Sequence, residues 1–90
     1  MQNLHLKLKR RWFTEILAGT KRQEYRSITD YWRVRLVGRK YDSVVFRNGY
    51  EPDSPLMEIE FHGVEIGEWD GNPVYAIQLG KILRTKWLTT

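Results

Sequence analysis

Leu4-His5-Leu6-Lys7-Leu8-Lys9-Arg10-Arg11-Trp12-Phe13-Thr14-Glu15-Ile16-Leu17-Ala18-Gly19 is the stretch on which the architecture turns. From Leu4 to Lys9 apolar and polar residues alternate strictly, the period of a half-buried strand with three leucines inward and the bases outward. At Arg11 the period changes, because Trp12/Phe13 and Ile16/Leu17 stand one helical turn apart. Gly19 then offers a left-handed conformation cheaply at the end of a helix. A strand that passes directly into a short helix is expected.

Working outward, Arg22 to Arg26 reads as a second strand. Thr29 or Asp30 caps a second short helix that carries Tyr31, Trp32 and Leu36 and stops at Gly38. Ser43-Val44-Val45-Phe46 is a β-branched run typical of a strand. Asn48-Gly49 is a turn signal, which Pro52 and Pro55 stretch into a longer loop. Met57-Glu58-Ile59-Glu60-Phe61 alternates again, Asp70-Gly71-Asn72-Pro73 is a turn, and Val74 to Leu79 is the last clear strand. Five or six short strands with one or two short helices predict a mainly β, α+β fold closed into a small barrel. An open α+β sheet with a helix on one face is the alternative.

The chain has 90 residues, so one domain over 1–90 is expected. A hydrophobic share of 41% and an aromatic share of 13% set it apart from disordered chains. It holds no cysteine, which excludes disulfide frameworks and Cys-based zinc or redox sites. No apolar run is long enough to span a membrane, and the N-terminus lacks the apolar stretch of a signal peptide. A cytoplasmic protein without a membrane partner is expected. His5 and His62 are isolated, so no metal site is expected. The serines lack a G-x-S-x-G context, no Gly-rich phosphate cradle is present, and no cofactor is expected.

The net charge of +4 is unevenly spread. Residues 1–50 hold twelve Lys/Arg against four acids, a net of +8, whereas residues 51–90 hold three against seven, a net of −4. That split predicts one basic and one acidic face. The basic face suits a polyanion, and nucleic acid is the commonest one.

Polar chemistry is densest in Gly19-Thr20-Lys21-Arg22-Gln23-Glu24-Tyr25-Arg26. In an extended chain Arg22, Glu24 and Arg26 share one face, with Lys21 in the adjoining turn. Two readings stand: a weak surface ion pair beside a helix end, or cations partly neutralised by Glu24 that still hold an anionic or carbonyl-rich ligand. Aromatic residues lie close to arginines: Tyr31 and Trp32 near Arg33 and Arg35, and Tyr50 near Arg47 and Asn48. Bases stack on such rings, and arginine contacts phosphates or stacks as well. Trp12 reads as core, Trp32 as core or stacking platform, and Tyr50 as a rim residue.

Ile16 to Arg26 resembles the G-x-K-x-x-E-x-R signature of the ASCH domain family, small barrels similar to PUA domains. The resemblance continues through Tyr31-Trp32-Arg33-Val34-Arg35-Leu36, Phe46-Arg47-Asn48-Gly49-Tyr50 and Ile77-Gln78-Leu79-Gly80-Lys81-Ile82, and so covers most of the chain. It implies a cleft beside the first helix, lined by Lys21, Glu24 and Arg26, that binds RNA or a nucleotide. Trp32, Arg35, Arg47, Asn48 and Tyr50 are the further candidates for that surface. Some relatives are amidohydrolases that deacetylate acetylcytidine, with a threonine nucleophile three residues after the lysine. Here that position is Glu24, a poor substitute for an activated hydroxyl, which leaves Lys21 and Glu24 as catalytic candidates for activating water. A protein-interaction domain using the acidic second half is the remaining alternative.

Overall fold

The computed structural model describes residues 2–88. Its elements are strand β1 (Asn3–Lys7), helix α1 (Arg10–Leu17), strand β2 (Gln23–Ser27), helix α2 (Asp30–Leu36) and strands β3 (Ser43–Arg47), β4 (Leu56–Trp69) and β5 (Asn72–Lys86). The alternating N-terminal stretch is a strand as expected, with Leu4 and Leu6 buried and His5 and Lys7 exposed. The change of period at its end produces α1, which buries Phe13 and Ile16. Gly19 adopts φ +83° just past the helix, and its N–H donates to the Ile16 carbonyl at 3.0 Å. Helix α2 is capped by Thr29, whose hydroxyl accepts from the Trp32 N–H at 3.3 Å.

The five strands form one mixed sheet in the order β1-β3-β4-β5-β2. Strand β1 runs parallel to β3, and every other pair is antiparallel. Phe13 and Ile16 of α1 and Leu36 of α2 join Phe46, Met57 and Ile77 in one core, so both helices contribute to the same apolar cluster. The fold is mainly β with two helices, as the sequence predicts.

The sheet is not closed into a barrel. Among the described residues no backbone ladder joins β1 to β2, and the two strands remain edges. They are linked through a side chain: Arg26 Nη2 donates to the Lys7 carbonyl at 3.3 Å. The physical reason lies in what stands between them. Charged side chains directed inward from an edge strand keep a further strand from pairing with it, and Glu24 and Arg26 occupy that position on β2.

Strands β4 and β5 are much longer than the alternating segments that reveal them, at 14 and 15 residues. Their register shifts between Glu58 and Val64 break the period-two pattern, so β4 cannot be followed past Phe61 in sequence. At the tip Asp70 and Gly71 both have positive φ, 52° and 79°, which matches a two-residue type I′ hairpin and its Asp-Gly preference. The acids of the second half do not gather in one segment. They are divided among the 51–53 loop, the length of β4 and the β4–β5 turn. No helix is long and apolar enough to cross a membrane, and no cluster of metal-ligating side chains is found among the described residues.

One polar group lies within the sheet itself. Ser43 is buried, with its hydroxyl 2.6 Å from Glu58 Oε2 and 3.0 Å from the Asn3 side-chain oxygen. A hydroxyl has one proton, and the ionised carboxylate takes it; the Asn3 amide then serves better turned over, donating to Ser43. Arg84 Nε donates to the other Glu58 oxygen at 2.8 Å. The Ser43 hydrogen bond, followed by that from Arg84, lowers the Glu58 pKa from its ordinary value of 4.5. A carboxylate depressed in the folded state contributes stability that is complete above the unfolded value and drains away as pH falls through the lowered one. Ser43→Ala should therefore destabilise the domain most at neutral pH. Urea unfolding at stepped pH should show the gap to the parent protein closing below about pH 4.5.

Candidate nucleic-acid interface

The end of α1 places the first residue of the site. Glu15 O accepts from the backbone N–H groups of Thr20 at 3.0 Å and Lys21 at 3.2 Å, and from the Thr20 hydroxyl at 3.1 Å. This tight turn directs Lys21 toward β2. On β2, Glu24 and Arg26 lie opposite Ile77 and Tyr75 of β5, two core residues, and so share the inner face of the strand. Glu24 is 5% exposed. Its Oε1 is 3.5 Å from Lys21 Nζ, and its Oε2 accepts from Arg26 Nη1. Arg26 also donates to the carbonyls of Tyr25 (2.8 Å) and Lys7 (3.3 Å).

Two rings flank the lysine, and a third packs on both of them. Lys21 Nζ lies 4.4 Å from the Tyr25 ring centre and 5.1 Å from that of Trp12. Trp69 stacks on Tyr25 with centroids 5.4 Å apart and meets Trp12 edge-on at 6.1 Å. Cation–π contacts of this kind strengthen where water is excluded. The rings and the ion trio border a cleft of about 350 Å³ between the β1 and β2 edges, a size at the small end of ligand pockets. Its wall carries Lys7, Lys9, Lys21 and Arg26 against the single carboxylate of Glu24.

The site has chemistry to spare. A carboxylate has about four acceptor positions, of which Arg26 occupies one, while Lys21 Nζ stands 3.5 Å away as an ion-pair partner. The Lys21 ammonium carries three donors. The cleft therefore offers a donor and an acceptor side by side, between apolar rings and under a positive field.

The residues expected at the site divide into three groups. Lys21, Glu24 and Arg26 converge as expected. Trp32 and Arg47 line a neighbouring cleft of about 580 Å³ that shares Lys7 and Arg26 with the first. Trp32 is half-buried, packs on the core and has Arg26 Cζ 5.2 Å from its ring centre. Tyr50 is 85% exposed and lines neither cleft, with Lys7 Nζ 4.0 Å from its ring.

Arg22, Arg35 and Asn48 fall outside the first cleft. Arg35 folds back on its own helix, donating to the Tyr31 carbonyl at 2.8 Å and stacking on its ring at 3.5 Å. Asn48 is a structural residue: its side-chain amide donates to the Leu8 carbonyl at 3.0 Å. Tyr25 and Trp69 are the members that sequence reasoning does not supply. Trp12, read as core, packs against the core and lines the cleft as well. Only the position of Trp69 beside the Asp-Gly turn hints at its role, since nothing local says what the hairpin tip faces.

Removing one member of a buried ion group leaves the others uncompensated, which costs more than the group contributes as a whole. Glu24→Gln should destabilise the domain by about 3 kcal/mol, the lower end for a buried pair because the cleft admits water. Urea denaturation should show Glu24→Gln combined with Lys21→Met losing less than the sum of the two single variants, as expected for coupled neighbours.

No family model matches the chain, and neither does any curated protein or solved structure.

Proposed function

We propose that this chain is an ASCH-type module that binds RNA or a nucleotide, holding a base in the cleft between β1 and β2. The observation that carries the reading is the buried Lys21–Glu24–Arg26 trio set among Trp12, Tyr25 and Trp69. A buried ion group is a poor stabiliser, and apolar residues of similar volume often serve a core as well or better. Its retention in a small domain therefore favours a ligand that uses it. Glu24 accepts from a base amine or ring N–H, Lys21 donates to a base carbonyl, and the rings supply stacking surface. Lys7, Lys9 and Arg26 face the sugar–phosphate path. The expected setting is the cytoplasm.

Hydrolysis of acetylcytidine-type nucleosides is the weaker reading. Thr20, the hydroxyl next to Lys21, is turned onto the Glu15 carbonyl, and the residue three after Lys21 is a carboxylate already held by two cations. The interaction-domain reading is weaker still, because the acids it relies on are split among three segments.

Titration of short single-stranded RNA, followed by tryptophan fluorescence, tests the proposal. With about three phosphates neutralised, log K should fall with log salt at a slope near −2, about −0.7 per contact. Lys7→Ala and Lys9→Ala should each flatten that slope by about 0.7. Lys21→Ala should weaken binding at every salt concentration. Binding that is indifferent to salt and to Lys21 overturns the reading; Lys21-dependent release of cytidine from acetylcytidine puts the hydrolase in its place.

A further inference from the structure

The second cleft lies beside the first and is built from the same kinds of side chain. Leu6 and Val45 are apolar members of its wall, Tyr31 and Trp32 meet edge to face with centroids 4.9 Å apart, and Arg47 stands among them. Lys7 and Arg26 belong to both clefts, so the partition between the two aromatic chambers is itself cationic.

The charges on that partition are costly to the sheet. Lys7 and Arg47 are register partners on the parallel strands β1 and β3. Like charges directly opposite each other destabilise a sheet. Neither has a carboxylate within ion-pair distance among the described residues. On the neighbouring pair β4–β5, by contrast, the register partners Glu58 and Arg84 carry opposite charges and form an ion pair. An unmatched pair beside exposed aromatic surface fits a ligand that brings its own negative charge between two flat groups.

We propose that the second cleft is a subsite for a second base, so that the chain reads two consecutive nucleotides of a single strand, with the linking phosphate on the Lys7–Arg26–Arg47 partition. This rests on the nucleotide reading of the first cleft. It assigns Trp32 and Tyr31 as the stacking surface for the neighbouring base and Arg47 as a phosphate contact. Tyr50, over Lys7 at the rim, marks where the strand leaves.

The experiment compares the four ribonucleoside monophosphates with dinucleoside monophosphates that contain the best of those bases, by tryptophan fluorescence and by the indole N–H resonances. A dinucleoside monophosphate carries less negative charge than a mononucleotide, so tighter binding cannot come from charge. The expected gain is about tenfold, in the range of one stacked base. It should vanish when the second base is replaced by hydrogen, and the Trp32 indole should shift only with the dinucleotide. Trp32→Leu, which keeps apolar bulk against the core, should remove most of the gain while mononucleotide affinity moves less than twofold, and Arg47→Gln should weaken the dinucleotide more than the mononucleotide, whose phosphate it also meets. A mononucleotide that binds with no gain for the dinucleotide, or a gain that survives both variants, overturns the second subsite and leaves the first cleft standing. Failure of every probe to bind overturns both.

Discussion

The carboxylate of Glu24, gripped by Lys21 from one side and Arg26 from the other, organises this molecule. Three ionic groups from six consecutive residues meet where the sheet would otherwise close. Taking each ion out of water costs several kcal/mol, which mutual attraction repays only with good geometry and further hydrogen bonds. The geometry comes from both flanks: the C-terminal turn of α1 fixes Lys21, and the pairing of β2 with β5 fixes Glu24 and Arg26. Arg26 extends the arrangement across the gap by reaching the Lys7 carbonyl. Through that bond the trio sets the distance between the two sheet edges as well as the charge of the space between them.

Around this centre the aromatic residues do two jobs at once. Trp12 and Trp32 are anchored on the core by one part of their surface and border a cleft with another. In so small a domain the same large rings fill the core and form the cleft walls. An apolar body with a polar edge suits both. The cations follow a similar economy, since Lys7 and Arg26 each border two cavities.

Local pattern revealed much of this. The switch of period after Lys9, the Thr29 cap and the β-branched run at Ser43–Phe46 are short-range signals, and each produced the expected element. The i, i+2 spacing of Glu24 and Arg26, with Lys21 in the turn, located the trio because strand geometry alone puts them together. What the sequence concealed is long-range. The bulges between Glu58 and Val64 interrupt the alternation, so nothing in that stretch reveals a hairpin long enough to bring Trp69 onto Tyr25. Barrel closure was expected from strand number, yet closure depends on what the edge strands carry inward. Arg35 and Asn48 looked free beside aromatic neighbours; in the fold their donors are spent on the carbonyls of Tyr31 and Leu8.

The open seam between β1 and β2 has a bearing on how the protein behaves in a crowded solution. Unpaired strand edges are templates for adding strands from other copies, the route to fibrils and swapped assemblies. Here one such margin ends in Lys7, with Lys9 just beyond it, and the other is occupied by an arginine–glutamate pair. An incoming chain would have to strip water from those charges before its first amide could dock. The groups that keep this gap open thus also shield the protein from its own copies.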